Sequence, residues 1–270
     1  MVLIIAIVWS VPFALASPNT PSPDLVQTLR PGIECFDEAY CAWNLAGFKH
    51  AADIFQAACA SHPDSYEACY WLGAARFHVF LHRERDAERP ANRAELKQLS
   101  HQAEVPLERA IELNSADSES RALLGTLAGI RISLSPWMAI SLGKKVTAYK
   151  EAAQRNEPAN PRNYFLIGTS YFHAPGILGG QDKALDSLLK AEQLFMAEAG
   201  MDPQPLKPAW GYGACLTFIA RTYQRMAKDS EAAEYFRKAL AVNPQDLQAR
   251  EGLKKLGVRT GKSEAQHGKL

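Results

Sequence analysis

Net charge is nearly absent from this chain. Lys and Arg number 30 against 29 Asp and Glu, leaving +1 at neutral pH. Such a balance carries no footprint of a nucleic-acid partner and no overall pull toward an anionic membrane. Cysteine is scarce, with five residues at positions 35, 41, 59, 69 and 215. None forms a Cys-x2-Cys pair, which disfavours structural zinc and thioredoxin-type chemistry. Heptad runs and low-complexity tracts are missing. So are a nucleophile elbow, a metalloprotease helix, a dinucleotide fingerprint and a paired-carboxylate arrangement. No catalytic residue, metal ligand or cofactor is expected, and the chain reads as a non-enzyme. What is plentiful is apolar surface, 47% of residues, enough for a continuous core.

The first 16 residues carry no charge, and residues 2–8 are solidly apolar. Ala14-Leu15-Ala16 before Ser17 is a small-x-small cleavage pattern, so residues 1–16 read as a secretory signal peptide. The usual leading Lys or Arg is missing, and the run is short for a membrane span. The expected location is therefore extracytoplasmic, a periplasm, with membrane association open. Residues 17–30 begin with three prolines in SPNTPSPD and read as an extended spacer.

Residues 220–244 set the pattern for the rest. Ile219, Ala220 and Tyr223 are followed by Ala232, Phe236 and Ala239, and Pro244 closes the unit. This spacing resembles the 34-residue tetratricopeptide repeat, two antiparallel helices per unit, except that Leu216 replaces the leading Trp. The small helix-A residue recurs as Ala39, Gly73, Gly125 and Gly168. Helix B recurs as Ala51/Phe55/Ala58, Ala103/Leu107/Ala110 and Ala184/Leu188/Ala191, and most poorly as Val146/Lys150/Ala153. The resemblance implies an all-α superhelical array of about five irregular hairpins with insertions over residues 31–257. Residues 258–270 read as a disordered tail.

Three insertions stand out. Residues 81–99 are dense in charge and read either as a lengthened, solvated hairpin broken near Pro90 or as a polar docking surface. Residues 131–145 contain Ile132, Leu134, Trp137, Met138, Ile140 and Leu142. Such a stretch should avoid water by folding over the array, by lidding an apolar cavity or by touching a membrane. Residues 171–181 hold Pro175, Gly176, Gly179 and Gly180, with Asp182 placed to cap the next helix. The Pro-x-x-x-Gly-Gly turn resembles the tetratricopeptide T component of TRAP transporters, a periplasmic family. More loosely, it is similar to the tetratricopeptide member of a bacterial sterol-transport system. That resemblance implies a periplasmic or membrane transport protein as partner.

His78 and His82 share a helix face, a spacing that can present two imidazoles to a metal, but no third ligand sits at a motif distance. Helix ends bring Cys59 toward Cys35 and Cys69, so one bridge is open, the alternative being small buried thiols.

In tetratricopeptide proteins the helix-A side chains line the concave groove. Carried over, the resemblance places Phe36, Tyr40, Trp43, Tyr70, Phe77, Phe165 and Phe172 there, with Arg162 and Arg221. Seven aromatics against two cations suit an apolar ligand better than a peptide carboxylate. Trp137 and Met138 join the expected site as its lid. Two readings compete. One is a transport accessory holding a lipid, even a sterol, in an aromatic cavity. The other is a scaffold docking a partner such as a substrate-binding protein. Insertions that fill the groove would turn the aromatics into ordinary core. An oligomer is left open.

Overall fold

The computed structural model describes residues 21–174 and 180–267. Among them are eleven α-helices and no strand. They pair as five hairpins: α1 (Pro23–Ala42) with α2 (Leu45–Ser61), α3 (Tyr66–Glu84) with α4 (Arg93–Leu113), and α5 (Ser118–Leu134) with α6 (Ala139–Asn156). Next come α7 (Pro161–His173) with α8 (Gln181–Ala199), and α9 (Tyr212–Arg225) with α10 (Asp229–Val242). The final helix, α11 (Leu247–His267), packs on α10.

Short polar side chains start these helices. Asn44, Ser65, Asn92, Asp117 and Asn160 each accept a hydrogen bond from a backbone N–H of the first turn. Within a hairpin, the small helix-A residue lets helix B close in. A Cβ on Gly73 would lie 2.5 Å from the Leu107 side chain, and one on Gly168 2.7 Å from Leu188. The helix-B triplets of α2, α4, α8 and α10 are buried throughout. Helix α6, whose repeat pattern is poorest, buries a single residue, Ala153.

The boundaries differ from expectation at both ends. The leader at 1–16 lies outside the described residues. The spacer expected over 17–30 gives way to helix at Pro23. Pro23 occupies the first turn, where no N–H is needed, and the Ser22 hydroxyl accepts from Leu25 N at 3.2 Å. At the other end, α11 runs past Gly257 to His267 instead of yielding a disordered tail. No proline follows Pro244 to stop it.

The charged insertion lengthens α3 and α4, leaving a turn at 85–92 that contains Pro90. Arg83 ties it together through Asp86 at 2.6 Å and Glu95 at 2.8 Å. In the third hairpin, α5 ends at Leu134 and a 3-10 turn, Pro136–Met138, leads into α6. That turn meets only α5 and α6 among the described elements.

The array curls until its fifth hairpin meets its first: Asn243 Nδ2 donates to the Cys41 carbonyl at 2.9 Å. The concave face is thereby narrowed, and the connection between α8 and α9, residues 200–211, runs into it.

The concave face and its basic mouth

The groove is filled by the chain itself. The connection at 200–211 turns Leu206 and Trp210 inward, 5% and 3% exposed. Backbone carbonyls of this segment are received by side chains of distant helices. Trp71 Nε1 on α3 donates to the Leu206 carbonyl at 3.1 Å. Arg162 on α7 donates to the Pro208 and Trp210 carbonyls. Trp210 Nε1 returns a bond to the Tyr70 hydroxyl at 3.1 Å. Gly211, at φ +115, makes the turn into α9 where a side chain would be strained.

Arg162 is the hub, with a fully buried side chain. Its Nε donates to Glu119 at 2.9 Å, and its two terminal nitrogens reach Glu198 at 2.9 and 2.7 Å. Tyr70 donates to the other Glu119 oxygen at 2.6 Å. Burial, and after it the Glu119 charge, raises the Tyr70 hydroxyl well above its ordinary pKa, keeping it a donor. Burial pushes Asp37 up to about 6, with Arg162 pulling the other way. A buried guanidinium persists only when its donors are matched in this manner.

Rings close the remaining space. Trp210 packs against Tyr40, His78 and Phe165 at centroid distances of 5.8, 5.3 and 6.4 Å. Phe36 meets Trp71 and His78, Phe77 meets His78, and Phe172 meets Phe218. His78 Nδ1 lies 2.8 Å from the Ala74 carbonyl, and burial lowers its pKa to about 4. It is a neutral core residue. His82 instead stacks on Trp43 at 5.9 Å. No group of side chains suited to a metal occurs among the described residues.

The expected ligand pocket therefore needs correction. Phe36, Tyr70, Phe77, Phe165 and Phe172 are all buried: Tyr70 and Phe165 meet Trp210 of the inserted segment, Phe36 and Phe77 pack on His78, and Phe172 packs on Phe218; Tyr40 and Trp43 are half-buried. Trp137 and Met138 take no part: Trp137 is 72% exposed on its own hairpin turn. Pro175, Gly176 and Gly179 lie outside the described residues. Gly180, at φ +145, holds the cap position of α8, where no side-chain cap bond is made among the described residues. Sequence reasoning passed over Trp71, Leu206 and Trp210. The available signal was the run Pro203, Pro205 and Pro208 directly before Trp210, since three prolines between helices mark an extended strap.

At the C-terminal ends of α3, α7 and α9 the filled groove ends in a basic mouth. Arg221 and Arg225 both lie over the Phe172 ring, at 4.8 and 3.5 Å. Arg221 donates to Gln248 Oε1 at 2.8 Å and Arg225 to the Phe172 carbonyl at 2.5 Å. Neither pairs with a carboxylate among the described residues. Desolvation, then the charges of Arg85 and Arg225, lowers Arg221 to about 10. Desolvation, then Arg85, Arg221 and Arg225, lowers His173 to about 4.

Comparison with families and with curated proteins finds no match. Solved structures do match. The thermophilic tetratricopeptide protein TTC0263 of Thermus thermophilus superposes with a TM-score of 0.61 at 18% identity, over 87% of this chain and 99% of that one. The HusA haemophore from Porphyromonas gingivalis gives 0.60 at 22% identity, over 74% and 94%. The Cut9–Hcn1 structure gives 0.55 at 11%, over 87% and 42%. At these identities the likeness concerns architecture, and the chain has the tetratricopeptide fold.

Proposed function

We propose that this protein is a non-catalytic scaffold that docks an acidic segment of a protein partner at the basic mouth of its groove. The observation that carries this reading is the pair Arg221 and Arg225, neither with a carboxylate partner among the described residues; Arg85, whose charge reaches Arg221, lies 3.8 Å from Glu84. Unmatched guanidiniums in a partly desolvated site favour an incoming carboxylate, which each can hold through two parallel bonds. Tetratricopeptide architecture supports a docking role in general, because stacked hairpins build a continuous concave surface; here the strap fills that surface and leaves its mouth to a partner. The carrier reading, with a lipid or sterol among the aromatics, would require the strap at 200–211 to leave the groove and surrender its bonds to Trp71, Tyr70 and Arg162. We place the scaffold outside the cytoplasm on the strength of the uncharged leader at 1–16, and a transport protein remains the class of partner that the glycine turn suggests.

The test is a pull-down of partners from the native host with wild-type bait and with Arg221→Glu/Arg225→Glu bait. Loss of a partner with the doubly reversed bait, at unchanged helix content, supports docking at the mouth. Identical partner sets from both baits would refute it. The mature N-terminus, read by mass spectrometry, tests the location: Ser17 is expected, and a retained Met1 would contradict export.

A further inference from the structure

The third hairpin ends in a tip that contradicts the ordinary rule for apolar stretches. Trp137 is 72% exposed and Ile140 91% exposed, while Met138 between them is half-buried. Among the described residues, the 3-10 turn that carries Trp137 touches only α5 and α6, and none comes within 4 Å of a Cβ built on Gly143. The tip thus stands clear of the array.

Its charge is as lopsided as its polarity. From Arg131 to Lys150 the chain has four cations and no Asp or Glu, in a protein whose overall balance is +1. Arg131 is committed to Glu104 at 3.1 Å and Lys150 to the Tyr171 ring at 5.0 Å. Lys144 and Lys145 are exposed and unpaired among the described residues, one to two turns behind Ile140. Three of the tip's hydroxyls are satisfied from within. Ser133 donates to the Ile130 carbonyl, Ser141 to that of Met138 and Thr147 to that of Gly143. Those bonds lower the cost of taking the tip out of water.

We propose that the tip at Trp137–Ile140 enters the interface of an anionic lipid bilayer, with Lys144 and Lys145 resting on the headgroups. Tryptophan is the side chain that prefers the headgroup boundary, and lysines just behind an apolar edge match a negative surface. A protein partner fits less well. Stable interfaces cover roughly 800 Å² per partner, and two projecting side chains on a narrow turn supply only a fraction of that. Among the described residues no helix is long and apolar enough to cross a membrane, so the contact is interfacial.

The experiment uses the full chain in a Trp9→Phe background, because the apolar leader carries a tryptophan of its own, and reads Trp137 by difference. Tryptophan emission is followed with vesicles of phosphatidylcholine and phosphatidylglycerol containing brominated lipid, for wild type and for Trp137→Phe. Quenching in wild type that disappears in Trp137→Phe is the expected result. Lys144→Glu/Lys145→Glu should weaken it at least about tenfold, as should pure phosphatidylcholine vesicles. Equal quenching in wild type and Trp137→Phe would overturn the proposal. So would quenching insensitive to both charge reversal and lipid charge.

Discussion

Trp210 and Trp137 both sit in insertions that lengthen a repeat, and their fates are opposite. Trp210 is held by Tyr70, Tyr40, His78 and Phe165. Trp137 faces water. The inserted strap at 200–211 lies between α8 and α9, next to a concave face already furnished with indole, hydroxyl and guanidinium donors. The insertion at 131–145 extends a hairpin past the last turn that can pack, beyond α6, whose only buried residue is Ala153. An apolar insertion becomes core only where the array offers it partners.

The largest effect that would break this contrast is at Arg162. Arg162→Ala removes the cation from buried Glu119 and leaves Glu198 only Lys207 at 3.4 Å among the described residues, and it should destabilise the fold by about 3–5 kcal/mol, measured by denaturant unfolding. Trp210→Ala should cost a similar ~3–5 kcal/mol through its cavity. Trp137→Ala with Ile140→Ala should stay within about 0.5 kcal/mol of wild type. Equal losses at the two sites would mean that the strap is no more embedded than the tip.

The pH dependence sharpens the same contrast. His78 is neutral in the fold, with its pKa lowered by burial from 6.5 to about 4. The unfolded chain takes up this proton first, so the stabilisation is complete above pH 6.5 and lost as pH falls toward 4. The difference is about 3 kcal/mol. Asp37 and Asp117, both raised to about 6 by burial, act in the opposite sense. Comparing wild type with His78→Phe removes their contribution, and the wild type should lose more stability than the variant across that window. Parallel curves would show that His78 is hydrated.

Beside the groove, Cys59 and Cys69 are free thiols with sulfurs 3.2 Å apart. Mild oxidation should close a small loop between α2 and α3 and raise stability by up to ~3 kcal/mol. A gel-shift assay and a melting curve check it; a mass unchanged by oxidant would count against the packing of those two helix ends.

Much of the array is legible in the sequence because its rule is local. Gly73 beside Leu107 and Gly168 beside Leu188 are contacts within one hairpin, and the spacing of small and large residues encodes them. The weak triplet Val146/Lys150/Ala153 likewise announces the poorly buried α6. The groove was legible only in its walls. Helix-A positions put Tyr70, Phe165 and Arg162 on the concave face, where they are. Their partners, Leu206 and Trp210, come from connections with no repeat register, so periodicity could not say that the walls were already covered. The helical entry at Pro23 was hidden by a proline count that overlooked the first-turn exception. Exposure at Trp137 depends on how far a hairpin projects, which no residue pattern states.

The account rests on a groove closed by its own strap, and indole hydrogen exchange tests this directly. With 15N-labelled tryptophan, the Nε1 protons are followed after transfer to D2O and assigned with single Trp→Phe variants. The account predicts that Trp71 and Trp210 exchange slowly, held on the Leu206 carbonyl and the Tyr70 hydroxyl, while Trp137 exchanges at once. Trp210 exchanging as fast as Trp137 would contradict it and return the aromatic groove to the pool of open ligand sites.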